Sequence, residues 1–273
     1  MIRSLFSGVS GMKNHQVRMD VIGNNIANVN TYGFKSARCN FQDLISQSLR
    51  SPSAGDGTVG GVNPGQVGLG MTVAGIANNM QQGPTQTTGR TLDLAIQGNG
   101  YFIIKKNSTD TDAFYTREGI FYVDNNGDLV NTNGYYVCDD GGAIINVSAS
   151  GNPADISSIT ISDTGLINVT DSAGTNTYQI GLATFPNETG LVKAGQNLYQ
   201  ASAASGTAEM AVAGTTGTGV ANSRINSGYL EMSNVDLTDE FVAMITTQRG
   251  YQANARTITT SDQMLQELLD IKR

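Results

Sequence analysis

Residues 237–273 read LTDEFVAMITTQRGYQANARTITTSDQMLQELLDIKR, and the fold turns on this stretch. Leu237, Phe241, Met244, Gln248, Tyr251, Ala255, Ile258, Asp262, Leu265, Leu269 and Lys272 follow one another in alternating steps of four and three. Most of these positions are apolar, the pattern of a coiled-coil-like seam. Asp236 or Ser233 supplies a cap, and Asp239 and Glu240 place negative charge in the first turn, where the helix dipole favours it. Lys272 and Arg273 place positive charge at the other end. About 35 residues at ~1.5 Å each make a rod of roughly 50 Å. A helix of that length needs another helix to cover its stripe.

The other end of the chain offers the partner. Leu5, Val9, Met12, Met19 and Ile26 fall on the same spacing, with Gln16 and Gly23 at the remaining seam positions. Residues 1–50 carry six basic and two acidic side chains, and residues 235–273 carry four and six, so the charges are complementary. The expected fold is therefore α+β: a mainly-β central domain with long N- and C-terminal helices paired antiparallel in a coiled-coil-like layer. Residues 1–34 and 235–273 form the helical domain, 35–75 a linker region and 76–234 a β-rich domain. Between Leu49 and Gln66 the chain is rich in Gly, Ser and Pro and reads as a loop.

The centre is punctuated by glycine: 33 occur in the chain, of which only four precede residue 51 and one follows residue 234. Leu94–Ile96 and Tyr101–Ile104 read as strands around a turn at Gly98-Asn99-Gly100. Residues 120–123, 128–130 and 134–137 are strands separated by Asn126-Gly127 and Asn133-Gly134, the strongest short hairpin signal. Further strands are expected at 156–161, 165–170 and 178–185, and residues 202–222 read as a β-edge or loop.

Catalysis finds little material in the 273 residues. His15 is the only histidine, and Cys39 and Cys138 are the only cysteines and not in a redox spacing, which removes thiolate zinc sites and sites needing two histidines. Residues 124–128 resemble a calcium loop but place Gly fourth and Tyr135 twelfth, so a hairpin turn is expected. Gly65, Gly68 and Gly70 lack a phosphate-loop spacing. Asp93, Glu118, Asp139 and Asp140 are read as solvated turn charges, and His15 as a surface or interface residue. No catalytic residue, cofactor or metal is expected. A net charge of −7 disfavours nucleic acid and anionic membrane as partners. No run approaches the roughly 18 apolar residues of a membrane span. After Arg3 the apolar residues are interrupted by Ser7, Ser10, Lys13 and Asn14, so no cleaved signal peptide is expected.

One segment carries more than structure. Asn24, Asn25 and Asn28 share a helix face near Ile26, where their amides can reach neighbouring subunits. They also weaken the helix, with Gly33 as terminator. The segment 24–34 resembles the signature of bacterial flagellar rod and hook proteins. So do residues 3–11 and 19–23, Thr88-Gly89-Arg90 with 93–102, and 227–237 running into 248–254. These motifs stand in order across nearly the whole chain. The resemblance implies a non-enzymatic subunit that polymerises helically with itself. The paired helices then line a central export channel and the β domain lies outside. It also implies neighbouring axial proteins (rod, hook cap, hook–filament junction) as partners, export by the flagellar type III apparatus, and location in the flagellum. Residues 67–76 and 231–241 look most like hook proteins, so a hook subunit is expected. A distal rod protein is the alternative, because residues 50–66 resemble a linker insertion associated with the stiff rod. A β-rich carbohydrate-active enzyme is the remaining competitor, and it lacks convergent carboxylates. The assembly residues expected are Leu5, Val9, Met12, Met19, Asn24, Asn25, Ile26, Asn28, Leu237, Phe241, Met244, Tyr251, Ile258, Leu265 and Leu269.

Overall fold

The computed structural model describes residues 2–52, 54–55, 60–108, 110, 112–148, 156–171, 174–214, 220 and 222–271. Lys272 and Arg273, part of the Gly/Ser-rich stretch (53 and 56–59) and part of 202–222 lie outside these. The chain divides into two compact units: a helical unit of Met1–Ala27, Ala37–Asn78 and Asp236–Arg273, and a β unit of Asn28–Ser36 and Asn79–Val235.

The helical unit holds α1 (Ile2–Ala27) and α2 (Leu237–Ile271). Asp236 caps α2: its Oδ1 accepts the Thr238 amide at 2.8 Å. Helix α1 stops at Ala27, six residues before Gly33, and the next bonds run from Thr31 to Asn28. Two strand ladders flank the Gly/Ser-rich stretch of the expected linker region 35–75. β1 (Ala37–Asp43) pairs antiparallel with β4 (Met71–Asn78), and β2 (Ser46–Arg50) with β3 (Gly65–Gly68), making one long hairpin. The Leu44 amide donates to the Gly70 carbonyl at 2.9 Å and joins the two ladders. Glycine and serine lead one to expect a loop here. Strand pairing needs only backbone groups, so the ladders form beside this stretch, whose described residues between Arg50 and Gly65 belong to no strand.

The β unit contains β5 (Thr85–Thr87), β6 (Leu94–Gln97), β7 (Tyr101–Lys105), β8 (Phe114–Thr116), β9 (Phe121–Val123), β10 (Leu129–Asn131) and β11 (Tyr136–Val137). After these come β12 (Ile156–Ile161), β13 (Leu166–Asp171), β14 (Gly174–Gln179), β15 (Leu182–Thr184), β16 (Val192–Gly195), β17 (Leu198–Gln200), β18 (Glu209–Ala211), β19 (Arg224–Ser227) and β20 (Tyr229–Glu231). Among the described residues the main sheet runs β16-β17-β8-β7-β11-β10-β9. The edge of β7 opposite β8 is shared, with Tyr101 and Phe102 facing β15 and Ile104 and Lys105 facing β11. β12, β13 and β14 form a separate meander, while β19 pairs with β6 and β20 with β5.

Strand β7 explains its own position. Its unbroken apolar run is buried on both faces, as a central strand requires. Phe102 and Ile104 face a cluster with Leu94, Phe121, Val137 and Leu182. Tyr101 and Ile103 face a second cluster with Tyr115, Phe185 and Tyr199.

Candidate assembly site

The helices cross with a constant antiparallel register. Ser4 Oγ lies 3.3 Å from Ser261 Oγ. A Cβ built on Gly8 would meet Thr257 and Ile258 at 3.0 and 3.1 Å, and one on Gly11 would meet Asn254 at 2.6 Å. A Cβ on Gly250 would come within 2.8 Å of the His15 ring. Asn25 Nδ2 donates to Glu240 Oε1 at 2.8 Å. The contact line therefore follows Ser4, Gly8, Gly11, His15 and Asn25 on α1, with Ile22 buried beside them. On α2 it follows Glu240, Thr247, Gly250, Asn254, Thr257 and Ser261.

This seam is the expected one displaced by a single residue on each helix. The expectation followed the large apolar side chains, whereas the backbones approach where side chains are small, and glycine, serine and threonine permit the closest approach. Of the expected seam, Leu5, Met12, Met19, Ile26, Met244, Ile258 and Leu265 are half-buried flanks of the contact. Val9, Leu237, Phe241, Tyr251 and Leu269 are exposed, Leu269 at 68%.

Within the asparagine cluster, Asn25 departs from expectation. Asn25 is buried and turned inward: Nδ2 donates to the Ala37 carbonyl at 2.9 Å, and Oδ1 accepts the Ala37 amide at 3.0 Å. Its amide imitates a strand partner for the start of β1, so it is engaged within the chain and not offered to a neighbour. Asn28 Oδ1 accepts from Thr31 Oγ1 at 3.1 Å and shapes the turn after α1. Asn24 is exposed. Where Asn25 meets Glu240, burial pushes the Glu240 carboxyl above the usual carboxylate range, partly offset by the Asn25 hydrogen bond.

His15 is half-buried, packed between helix and hairpin. Its ring packs edge-on against Phe41 at 5.6 Å, against Gly250 on the other side, and its Nδ1 is buried without a hydrogen-bond partner. Burial, then the charge of Arg18, pushes its pKa below the ordinary value. Arg18 itself sits 5.8 Å over the Phe41 ring. Asn14 Nδ2 donates to the Met71 carbonyl at 2.5 Å and holds α1 to the hairpin.

Large apolar side chains left exposed concentrate in this unit. Among the described residues, all of them except Tyr122, Val192, Met210 and Tyr229 belong to it. Leu237, Phe241, Val242 and Ile245 line the first half of α2, and Met264, Leu268, Leu269 and Ile271 its final two turns. Phe6 on α1 and Ile45 and Leu49 on the hairpin add to them. Exposed apolar surface on this scale marks a site for another protein or another copy. Sequence reasoning missed Gly8, Gly11, Thr247, Asn254 and Ser261. The last three recur every seven residues, a signal that hydropathy does not register. Among the described residues there is no cluster of three or more His, Cys, Asp or Glu able to hold a metal, and no helix long and apolar enough to cross a membrane.

Three family signatures match the chain. Residues 5–35 match "Flagella basal body rod protein", 95–169 "Flagellar hook protein FlgE/F/G D1 domain", and 226–271 "Flagellar basal body rod FlgEFG protein C-terminal". The chain is 50% identical over 276 residues to the flagellar basal-body rod protein FlgG of Bacillus subtilis, covering all of both chains. It is 40% identical over 272 residues to FlgG of Caulobacter vibrioides, covering 97% of each. Against the flagellar hook protein FlgE of Treponema pallidum it is 31% identical over 470 residues, covering all of both.

Proposed function

Because the chain belongs to the flagellar basal-body rod and hook family, whose members are structural proteins of the flagellum and not enzymes, we propose that it is a subunit of the distal rod. One observation carries this reading: 50% identity to a basal-body rod protein along the entire length of both chains. Hook proteins are more distant at 31%, and their alignment of 470 residues implies inserted sequence that this chain lacks. The hook reading drawn from residues 67–76 and 231–241 gives way on that ground. The hairpin over residues 37–78 supports the same choice, since a paired β-hairpin is a stiffer element than the flexible loop that a bendable joint would use.

In this reading the subunits stack helically with copies of themselves and with neighbouring axial proteins. The exposed apolar faces of α1, α2 and the hairpin are the contacts, an open assembly of the kind that gives filaments. The paired helices form the inner wall around a channel, and the chain reaches its place through the flagellar type III apparatus. Immunogold labelling of isolated hook–basal bodies tests the assignment. Label on the rod shaft beneath the hook is expected. Label distributed along the hook would return the hook reading.

A further inference from the structure

The chain crosses between its two units at four points, after residues 27, 36, 78 and 235. Inside the β unit, the segments leading to the last three crossings meet. Asn234 Nδ2 donates to the carbonyls of Asn79 at 2.8 Å and Gln81 at 3.0 Å, while its Oδ1 accepts the Ser36 amide at 2.8 Å. The Asn79 amide donates to the Ser36 carbonyl at 2.7 Å. Lys35 Nζ donates to the Gln81 carbonyl at 2.8 Å and to Glu231 Oε1 at 2.5 Å. The same Glu231 oxygen accepts the Gly83 amide at 2.9 Å, and the Glu231 carbonyl accepts the Gly33 amide at 2.8 Å.

The cluster is anchored inward. Arg117 Nη1 donates to Glu231 Oε2 at 3.2 Å and Nη2 to the Gly98 carbonyl at 2.9 Å, with its guanidinium 5.1 Å over the Tyr101 ring. Lys35, Arg117 and Glu231 are all buried. Gly33 is held at φ +68°, and a Cβ there would come within 2.8 Å of the Arg117–Glu118 backbone, so the segment lies closer than any other residue permits.

Buried ions are a poor source of stability, because desolvation offsets most of their attraction. Apolar packing would hold these segments together equally well, but it has no direction. Hydrogen bonds do have direction, and they set the spacing of the backbones that they join. We infer that Lys35, Glu231 and Asn234 form a three-way tie that holds the chain segments leaving the β unit as one rigid, cooperative piece, distinct from the sheet core. The inference concerns the chain itself and stands or falls independently of the rod assignment.

Amide hydrogen exchange on the full-length chain tests it, using Asn234→Ala. Ser36 loses its acceptor outright and exchanges faster in any case. The tie requires that Gly33, Asn79 and Met232, whose acceptors are backbone carbonyls left intact, exchange about 10-fold faster together. Phe102 and Ile103 in β7 should stay within about twofold of the parent. Acceleration confined to Ser36 overturns the inference, as does equal acceleration of Phe102 and Ile103. Lys35→Met, which leaves Glu231 paired with Arg117, must release the same set, and should Asn234→Ala not fold it carries the test alone.

Discussion

Replacing Glu231 with Gln isolates the charge of the buried ion cluster from its shape. Gln retains the volume and an oxygen for the Gly83 amide, but it leaves Lys35 and Arg117 buried with no counter-ion. Breaking a buried pair by removing one partner costs about 3–5 kcal/mol, since an uncompensated charge remains in the interior. For a unit of 150–250 residues each kcal/mol shifts Tm by about 2–4 °C, so the β unit should melt roughly 6–20 °C lower by scanning calorimetry. A second substitution sharpens the test. Lys35→Met removes one of the two stranded cations, so the double variant should recover part of the loss, with a coupling of about 1–3 kcal/mol. A shift of less than about 2 °C for Glu231→Gln, or simple additivity in the double variant, would refute the electrostatic argument.

Three further outcomes follow from the helical unit. Gly8→Leu forces side chain into a gap already closed by Thr257 and Ile258, and should cost about 1–3 kcal/mol; loss of sedimentable polymer under parent conditions is the readout. Asn25→Ala leaves the half-buried start of β1 and the Glu240 carboxylate short of partners at about 1–3 kcal/mol, which should appear as loss of protection at Ala37 by amide exchange. The third concerns pH. Because the His15 pKa is lowered in the folded state, the unfolded chain takes up the proton first as pH falls through about 6.5, and stability is lost from there down to the folded value. Glu240, raised above its ordinary value, acts in the opposite sense and adds stability as pH falls through its folded value toward about 4.5. The groups facing His15 are Arg18 on α1, Phe41 on β1 and Gly250 on α2. Thermal melts of His15→Gln between about pH 7 and 5 should therefore keep the Glu240 gain and lose the fall.

What the sequence reveals depends on which force selects each residue. Burial leaves a hydropathy signature, so β7, the strands at 156–161 and 121–137 and the existence of both helices are legible from residue spacing alone. Helix contact at short range is selected for smallness, and the true seam at Ser4, Gly8, Gly11, Thr247, Asn254 and Ser261 therefore lies one residue from the apolar pattern that draws the eye. The hairpin of residues 37–78 hides for a related reason: β2 is exposed throughout and leaves no burial pattern to read. Lys35 and Glu231 are 196 residues apart in the chain, and nothing in the local pattern of either announces the other. The asparagine segment is recognisable as special, but whether Asn25 points inward or outward is a question of helix phase, which composition does not answer.

The division of the helix pair into a small, polar inner line and a large, oily outer one bears on how growth begins. A lone copy joins its two helices along the small line only, while several earlier copies side by side offer a wall of hydrocarbon to settle against. Ordering two long segments carries an entropic penalty that one neighbour repays poorly and many repay well. Addition to an existing end is then fast and spontaneous seeding rare, so a cell can hold a pool of such subunits without stray fibres forming ahead of need.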